Sequence, residues 1–403
     1  ACLAIRHRTL PKQLHFETPN PMIPWDEIPI RVQSETAPWP EEGPALVGVN
    51  SFGISGTNAH VVVESPPPRA RPQPDESAAH GRPWLLPLSA HSPEALSALV
   101  SETRERLASI ADEEIADQVF TYACRRSHRP HRLAAVGASR ADLVRALDGF
   151  LEGESGTAIQ TGTQTGDRSP EIVMIFPGQG SQWRGMGRML LSREPVFADA
   201  IDRLDAAYAA HVDWSLRAEL MGDGDWSERL DQLQPILVAV EIALARLWES
   251  LGVRPTRVVG QSMGEIAAAH VAGVLSLEDV ARLACHRGRI VARATGDGAM
   301  AVVALSREAV EARLSDANGA LEVAGVNSPS TTIVSGDREP LIEWLSGIER
   351  DGVFARRLEV DFASHCFHMD PLLEDFRAGI ETIEPLEAQI PLHSTVDGEV
   401  KSG

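Results

Sequence analysis

The sequence predicts an α/β protein with three parts: a large subdomain on a parallel sheet, a small ferredoxin-like subdomain inserted into it, and a small α/β unit that precedes both. The first observation is a strand that runs into Gly-Gln-Ser-Met-Gly at 260–264, with an alanine-rich helical pattern after it. The second is the order β-α-β-β-α-β over residues 297–361, which is typical of ferredoxin-like folds. The third is the alternation of short strands and helices over residues 84–165, which predicts packed α/β layers.

The composition limits the functions that the chain can serve. Its 403 residues are enough for two or three domains, and an apolar fraction of 43% supplies sizeable cores. A formal charge of -20 argues against nucleic acid as a partner, because the phosphate backbone favours a basic surface. No apolar run reaches the length of a membrane span, so no membrane partner is expected. Four widely spaced cysteines without a Cys-x-x-Cys pair predict a reduced protein of the cytoplasm.

Residues 1–66 read as a piece of a larger fold. They open with the end of a helix, continue through proline-rich extended segments, and close with a strand, a glycine-rich turn and a second strand over residues 45–64. The second strand is short and continuously apolar, which predicts that it is buried. Residues 67–83 are rich in proline and arginine and predict a semi-rigid surface linker.

Residues 84–170 contain the small α/β unit, and they show no obvious site. Ser92 is a predicted helix N-cap, because Pro93 follows it at the first helical position. The predicted elements are a strand at 84–90, helices from 93 and over 113–124, a strand at 132–137, a helix at 140–150 and a loop at 152–168.

Residues 171–403 carry the predicted chemistry. A strand over residues 172–176, predicted to be buried, delivers Pro-Gly-Gln-Gly at 177–180 to the crevice at the end of an open sheet. The glycines let the backbone bring Gln179 close to a bound group, and its side-chain amide is a candidate oxyanion donor. A helix predicted to open at Pro235 then presents one apolar face.

The pattern Gly-x-Ser-x-Gly around Ser262 predicts a nucleophile elbow. A β-branched strand precedes it, Gly260 and Gly264 allow a tight turn, and Gly273 closes the helix that follows. Ser262 is then expected at a helix start, where backbone N–H groups favour a developing negative charge. A nucleophilic serine also needs a base, an oxyanion hole and a group that binds the substrate.

Arg287 is the candidate for substrate binding. The helix that carries it is capped by Ser276, and its apolar stripe places Arg287 near the middle of the buried face. A buried arginine needs an anionic partner. That partner is either a protein carboxylate, for which Glu265 is a candidate, or a carboxylate of the substrate held bidentately. The sequence leaves both alternatives open.

Residues 361–371 hold two candidate bases, His365 and His368. His365 follows directly after the ferredoxin-like segment, so we favour it as the partner of Ser262, with His368 as its rival. No metal site is predicted, because a third His or a Cys at defined spacing is missing. Cys366 has no elbow around it and is interpreted as a packing residue.

Several motifs together resemble the ordered signature of the acyltransferase domain of type I polyketide synthases, which are related to malonyl-CoA:acyl-carrier-protein transacylases. These motifs are residues 176–182 and 260–265, Arg287, Asn-Ser-Pro at 327–329 and Phe-Ala-Ser-His at 362–365. Residues 51–60 are similar to the closing segment of a ketosynthase domain. The active-site cysteine and histidines of a ketosynthase belong upstream of that segment and are not in this sequence, so no condensation activity is expected.

The resemblance implies a domain order and a hydrolase-like large subdomain. It also implies that the acyltransferase domain continues past residue 403, so the residue that orients His365 is expected outside this sequence. The implied parts are a ketosynthase tail at 1–66, a proline-rich linker at 67–83, a ketosynthase–acyltransferase linker domain at 84–170, and an acyltransferase domain at 171–403 that contains the ferredoxin-like subdomain at 297–361.

The resemblance also implies a reaction. A carboxyacyl unit passes from CoA through an acyl-serine to the phosphopantetheine thiol of an acyl carrier protein, with ping-pong kinetics. No permanently bound cofactor and no metal are implied. The implied partners are carrier protein, carboxyacyl-CoA and the other synthase domains, with homodimerisation through the ketosynthase of the full-length protein. The implied roles are nucleophile for Ser262, general acid/base for His365, carboxylate binding for Arg287, and the oxyanion hole for Gln179 with the Met263 N–H.

Within the resemblance, the substrate pocket is formed by Gln261, Met263, Asn327, Phe362 and Ser364. Gln261 stands where the family commonly has His. Phe-Ala-Ser-His resembles the Tyr-Ala-Ser-His form of methylmalonyl-selective members more than the His-Ala-Phe-His form of malonyl-selective ones. The small Ser364 leaves room for an α-methyl branch, so methylmalonyl-CoA is favoured as the substrate and malonyl-CoA is second.

Two other functions stay open. A serine hydrolase or thioesterase of the α/β-hydrolase type shares Gly-x-Ser-x-Gly, but it uses an Asp between Ser and His and has no need of Arg287. A non-catalytic scaffold that docks an acidic carrier protein needs a local basic patch. The candidates for such a patch are Arg125, Arg126, Arg129 and Arg132.

Overall fold

A computed structural model describes residues 1–40, 43–66, 82–154, 156–166, 171–315 and 318–402. The chain divides into two compact units, residues 1–80 and 81–403, and each is described by itself. The predicted linker at 67–83 lies, apart from Arg82 and Pro83, outside the described residues. The domain boundaries drawn from the sequence stay predictions.

The described residues of the first unit contain two antiparallel strand pairs. Val61 and Val62 are 56% and 63% exposed, so the prediction that the last strand of this unit is buried is wrong. A two-stranded ribbon leaves both faces open unless another layer packs on it, and an apolar run does not itself supply that layer. The elements are α1 (Cys2–His7), β1 (Thr9–Leu10), β2 (Ala37–Pro38), β3 (Leu46–Phe52) and β4 (Asn58–Glu64), with β1 paired to β2 and β3 to β4.

The second unit begins with the small α/β part. Ser92 caps its first helix by accepting a hydrogen bond of 3.2 Å from the Ala95 N–H, as predicted. A strand at Ile159–Thr163 lies where the sequence predicts a loop. Backbone hydrogen bonds to the neighbouring strand hold its polar residues in place. The sequence has no alternating apolar pattern here that would predict a strand. The elements are β5 (Trp84–Ala90), α2 (Pro93–Ser109), α3 (Ile115–Cys124), β6 (His131–Gly137), α4 (Arg140–Leu151) and β7 (Ile159–Thr163), in the sheet order β5-β6-β7.

The large subdomain opens with a strand and a layer of helices. One helix begins at Leu230, so the prediction that Pro235 opens it is wrong. Pro235 lacks the N–H that would bond Asp231 O, and Gly288 of a neighbouring helix packs at this place. A Cβ on Gly288 would lie 3.1 Å from Pro235 Cδ and 3.2 Å from Asp231 O. The elements are β8 (Val173–Phe176), α5 (Arg188–Arg193), α6 (Pro195–Tyr208), α7 (Leu216–Met221), α8 (Leu230–Ser250), β9 (Arg257–Gly260), α9 (Gly264–Ala272) and α10 (Leu277–Ala292).

The small subdomain is ferredoxin-like, as predicted. All neighbouring strands in its sheet are antiparallel. Its edge strand at Leu321–Ser328 has two register shifts, and the second leaves Asn327 without a cross-strand partner. Bulges of this kind re-aim a side chain. The elements are β10 (Gly298–Val303), α11 (Arg307–Leu314), β11 (Leu321–Ser328), β12 (Thr331–Asp337), α12 (Arg338–Arg350) and β13 (Ala355–Arg357), in the sheet order β11-β12-β10-β13.

The chain then returns to the large subdomain. An isolated bridge joins Thr295 to Phe362. Gly298 packs closely on the returning segment, because a Cβ at this position would lie 2.3 Å from Ala363 N. These contacts fix the backbone that leads to His365. The remaining elements are a 3₁₀ helix (Phe367–Leu372), α13 (Leu373–Ile380), β14 (Leu392–His393) and β15 (Val400–Lys401).

The sheet of the large subdomain has the order β15-β14-β9-β8. Strands β8 and β14 run parallel to β9, as predicted, and β15 is antiparallel at one edge. Phe176 is 4% exposed but Ile175 is 72% exposed, so the prediction of a fully buried β8 is wrong. Side chains alternate along a strand, and the Phe176 side packs into the core. Within the described residues, no helix combines the length and apolar character that a membrane crossing requires.

Candidate active site

Ser262 stands on the tight turn between β9 and α9. Its φ is 53°, a left-handed conformation that costs a non-glycine residue about 1–3 kcal/mol. A Cβ on Gly260 would lie 2.4 Å from Glu265 N, and a Cβ on Gly264 would lie 2.2 Å from Phe176 O. Both distances are too short for a side chain, so the turn needs glycine at both positions. The turn presents the Ser262 side chain at the start of α9, where the elbow pattern predicts it.

The two candidate histidines contact different partners. His365 Nε2 lies 3.0 Å from Ser262 Oγ. His368 Nε2 lies 2.8 Å from the Asp337 carboxylate instead. His365 also has a left-handed backbone, with φ 58°. Of the two histidines, His365 is the one at hydrogen-bond distance from Ser262, which proton transfer requires.

The groups around His365 favour its neutral form. Desolvation by neighbouring protein atoms lowers its pKa below the ordinary histidine value, and the positive charge of Arg287 lowers the pKa further. The negative charge of Glu265 acts in the opposite direction. A neutral imidazole has a lone pair that can accept a proton. The arrangement can therefore take up the proton of the Ser262 hydroxyl.

Arg287 is a charged side chain with neutral protein partners. Its Nη2 donates a hydrogen bond of 3.0 Å to Ser262 Oγ, and its Nη1 donates to Gln234 Oε1 on α8. Burial lowers its pKa to about 10, which leaves it charged at neutral pH. No carboxylate of the described residues contacts this guanidinium. The positive charge beside Ser262 is therefore uncompensated in this part of the chain.

Glu265 is not the partner of Arg287. Its Oε1 accepts hydrogen bonds from the Thr395 N–H at 2.8 Å and from the Thr395 hydroxyl at 2.9 Å. These donors hold the carboxylate at the connection between β14 and β15. The carboxylate of Glu265 is therefore engaged elsewhere, and a carboxylate on a bound molecule as the partner of Arg287 stays a prediction.

The loop after β8 lies against the elbow. A Cβ on Gly178 would lie 3.7 Å from Ser262 Cβ and 3.4 Å from Gln261 O. Across the described ranges, the backbone N–H groups of Gln179 and Met263 donate no hydrogen bond. The side-chain Oε1 of Gln179 is also buried without a partner. Free polar groups therefore stand at the start of α9 and on the facing loop.

The residues that the resemblance assigns to the pocket differ in their surroundings. Gln261 Nε2 donates a hydrogen bond of 3.1 Å to Asn327 Oδ1, which joins the elbow to the bulged strand β11. Met263 and Phe362 are 1% and 5% exposed, and both belong to the core of the large subdomain. These two side chains therefore pack in the core on which the site rests.

Two contacts of the site were missed by the sequence analysis. Gln234 accepts the hydrogen bond from Arg287, and Ser364 Oγ donates one of 3.3 Å to Met300 Sδ. Gln234 directly precedes Pro235. Because the helix was predicted to begin at this proline, Gln234 was not recognised as a residue of the helix. Met300 lies on β10, and the alternation along that strand could have indicated which of its side chains face the site.

A cleft of about 520 Å³ opens beside this cluster, and Arg287, Ser364 and His365 are among the residues that line it. Clefts of this size hold small molecules. Most of the remaining wall comes from apolar side chains of α10, the 3₁₀ helix and α13, and the carboxylates of Glu322 and Asp370 also line it. In the part of the chain that the structure describes, no group of three His, Cys, Asp or Glu side chains is arranged to hold a metal ion.

The sequence matches two families. The family described as Acyl transferase domain matches residues 173–402, and the one described as Ketoacyl-synthetase C-terminal extension matches residues 19–136. Erythronolide synthase EryA3 of Saccharopolyspora erythraea is 42% identical over 403 residues, which cover 99% of this chain and 12% of that protein. Polyketide synthase GfsE of Streptomyces halstedii is 41% identical over 417 residues, which cover 98% of this chain and 11% of that protein. The chain spans only a small part of these relatives.

Solved structures show the same fold. The acyltransferase domain from module 8 of the salinomycin polyketide synthase superposes with a TM-score of 0.73 and 36% identity, over 80% of this chain and 76% of that one. The acyl transferase domain of SpnD, in complex with 2-(pent-4-yn-1-yl)malonyl, has a TM-score of 0.71 and 28% identity, over 80% and 75% of the two chains. These similarities support the α/β fold with its small subdomain.

Proposed function

The chain belongs to the acyl transferase domain family of polyketide synthases, and we propose on this basis that it moves a carboxyacyl unit from CoA to an acyl carrier protein through an acyl-Ser262. The observation that carries the proposal is the charged Arg287, which donates a hydrogen bond of 3.0 Å to Ser262 Oγ and has neutral protein partners. A carboxylate on the acyl unit supplies the missing negative charge.

In the first half-reaction, Ser262 Oγ attacks the carbonyl carbon of the thioester. His365 Nε2, which lies 3.0 Å from this oxygen, takes the hydroxyl proton. When the tetrahedral intermediate collapses, the C–S bond breaks and His365 returns the proton to the CoA thiolate. The acyl unit is then held as an ester on Ser262.

In the second half-reaction, the phosphopantetheine thiol of the carrier protein enters the site. His365 removes the thiol proton, the thiolate attacks the ester carbonyl, and the C–O bond to Ser262 breaks. The proton returns from His365 to Ser262 Oγ, so the enzyme is restored and the new thioester leaves. No permanently bound cofactor takes part in this scheme.

Gln179 and Met263 are assigned to the oxyanion hole. Charge develops on the carbonyl oxygen in both half-reactions, and preorganised N–H donors stabilise it. Supporting this, the backbone N–H of each residue donates no hydrogen bond within the described ranges, and the Gln179 amide lies on the loop that packs on the elbow. The helix dipole of α9 adds a favourable field at its start.

Arg287 selects acyl units that carry a carboxylate. A bound carboxylate accepts hydrogen bonds from the guanidinium, whereas an acyl chain without one leaves a desolvated charge unpaired. We favour methylmalonyl-CoA as the substrate and malonyl-CoA as the second choice, because Ser364 is small and lines the same cleft as Arg287. The α-substituted malonyl bound in the SpnD domain is of the same chemical class.

The partner is an acidic carrier protein, and an exposed basic patch offers it a docking surface. The patch lies on the connection from α3 to β6 and on the start of β6, and it consists of exposed side chains in a chain whose formal charge is -20. Opposite charge steers such partners to their site. The other synthase domains are further proposed partners. We also propose that the full-length protein dimerises through its ketosynthase and that it acts in the cytoplasm. The patch residues are Arg125, Arg126, Arg129 and Arg132.

Transfer from the acylated protein tests this function. The acyl-enzyme is formed with methylmalonyl-CoA and mixed with carrier protein or buffer alone. The proposal expects loading of carrier protein much faster than hydrolysis, and a double variant with Arg126→Glu and Arg129→Glu slows loading but not acylation. Rapid hydrolysis without loading supports the serine hydrolase alternative. Carrier binding by a chain that is never acylated supports the scaffold alternative.

A further inference from the structure

Glu265 gathers several hydrogen bonds on a single oxygen. Its Oε1 lies 2.8 Å from Thr395 N, 2.9 Å from Thr395 Oγ1 and 3.3 Å from Ser394 Oγ. The Thr395 hydroxyl is also 3.1 Å from Gly260 O. Thr395 therefore touches the elbow on both sides of Ser262, at the residue that ends β9 and at the first turn of α9.

These contacts act on a strained piece of backbone. Ser262 has a φ of 53°, and such strain persists where surrounding contacts over-determine the conformation. The glycines at 260 and 264 make the turn sterically possible, but they do not fix it, because glycine is itself conformationally free. The contacts of Thr395 with Glu265 and with Gly260 O, which we call the Glu265–Thr395 clasp, constrain the turn from outside it.

Charge gives Glu265 a second connection to the site. Two charged groups act on His365, namely Arg287 from α10 and Glu265 from α9. Glu322 from β11 and Asp370 from the 3₁₀ helix line the same cleft as His365. Arg287 lowers the pKa of His365 and Glu265 raises it. Within the described residues, no carboxylate hydrogen-bonds the His365 ring. The charge of Glu265 therefore acts through space.

We propose that Glu265 is a positioning residue for the acyl transfer: it holds the elbow through Thr395 and supplies the negative charge that stabilises His365 once that ring has taken the serine proton. This inference rests on the proposed function, since it requires His365 to act as the base for Ser262. A purely structural role, as a first-turn carboxylate that favours the helix dipole, is the competing explanation.

Two substitutions separate the two parts of the role. Glu265→Gln keeps an acceptor oxygen for Thr395 and removes the charge. Thr395→Val removes the hydroxyl contacts and keeps the charge. Acylation by methylmalonyl-CoA is measured as kcat and KM from about pH 5 to about pH 9, where histidine titrates, and thermal unfolding of each variant checks the fold.

The charge predicts that Glu265→Gln moves the midpoint of the pH–rate profile to lower pH and lowers kcat, with KM little changed. The clasp predicts that Thr395→Val leaves the midpoint in place and lowers kcat by about tenfold, because small displacements of reacting groups slow the chemical step. Glu265→Asp, which keeps the charge, is expected to restore the midpoint.

An unshifted midpoint in Glu265→Gln overturns the electrostatic part, and an unchanged kcat in Thr395→Val overturns the clasp. If both variants unfold more easily but turn over like the parent, Glu265 is a structural residue only. If the parent chain is not acylated by any acyl-CoA, the proposed function itself fails, and that result is distinct from these.

Discussion

Arg287 donates a hydrogen bond of 3.0 Å to the Oγ of Ser262. The guanidinium stands at the reacting oxygen, and its other partner, Gln234, is neutral. A desolvated charge without a counter-charge is unfavourable, so under the proposed function we expect the site to favour a ligand that brings a carboxylate. The same side chain lowers the pKa of the neighbouring His365. We therefore expect Arg287 to influence both the choice of substrate and the protonation state of His365.

Replacement of Arg287 by alanine is expected to lower kcat/KM for methylmalonyl-CoA by about a hundredfold, which corresponds to about 3 kcal/mol for the loss of one partner of a desolvated charged pair. The rate with acetyl-CoA, which has no free carboxylate, is expected to change little. Steady-state kinetics with both esters measure this. Arg289→Ala is the matched control, because Arg289 is exposed on the same helix and donates to His211 O at 2.6 Å. An equal loss with both esters contradicts the carboxylate role.

Acylation is expected to fall at acid pH, with a midpoint below the ordinary histidine value of 6.5. His365 must be neutral to accept the serine proton, and desolvation together with Arg287 lowers its pKa, so the base stays active to a lower pH than a free histidine. In Arg287→Ala the midpoint is expected to rise. His368→Gln, which alters the contact to Asp337, is the control and is expected to keep the parent midpoint. A midpoint above 6.5 in the parent is the opposite outcome.

Ser364 is expected to set the preference for an α-branch. Ser364→Phe fills the cleft beside Arg287 and is expected to lower the ratio of methylmalonyl to malonyl acylation by roughly tenfold or more, since one methylene in a pocket is worth about 1–3 kcal/mol. Ser364→Ala removes the hydroxyl that donates to Met300 Sδ but keeps the space, so it is expected to retain the preference. Competition between the two CoA esters measures the ratio. If Ser364→Ala changes it as much as Ser364→Phe, space is not the cause.

Glu241 on α8 is expected to make the protein less stable as pH rises. Its Oε2 is buried without a partner, and burial raises its pKa from 4.5 to about 8. Between these values the unfolded chain loses the proton while the folded chain keeps it, so stability falls across this window.

Glu241→Gln removes that dependence. Relative to the parent, the variant is expected to gain about 1.4 kcal/mol for each unit by which the folded and unfolded pKa values differ. Urea unfolding of both proteins below and above the window measures the gain. Glu249→Gln is the control, because Glu249 forms a surface pair of 3.0 Å with Arg246 on the same helix. A gain that does not depend on pH contradicts the assignment.

The elbow could be predicted from the sequence because it is local. Gly260 and Gly264 have no room for a Cβ, and a strand, a turn and a helix in succession are visible as pattern. The periodicity of α10 likewise identified Arg287 as the arginine of the buried face. The choice between His365 and His368 was less certain, because the contact to Ser262 joins residues far apart in the chain. Folding of the small subdomain, which the order of its elements predicts, brings them together.

Burial could not be predicted from apolar runs alone. Ile175 and Val62 are 72% and 63% exposed although both lie in continuous apolar strands, because exposure depends on which layer covers a face. Gln234 and Thr395 were missed for another reason. Gln234 accepts a hydrogen bond from Arg287, and Thr395 donates one to Glu265. Such contacts between residues far apart in the chain leave no periodic signal in the sequence.

The mass of the intact protein after incubation with separate acyl-CoA esters tests the central claim most directly. The parent chain and Ser262→Ala are each mixed with methylmalonyl-CoA, malonyl-CoA and acetyl-CoA. We expect a methylmalonyl adduct on the parent, a smaller malonyl adduct, little acetyl adduct, and none on Ser262→Ala. An adduct that persists in Ser262→Ala, or acetylation as extensive as methylmalonylation, contradicts an acyl-Ser262 selected by Arg287.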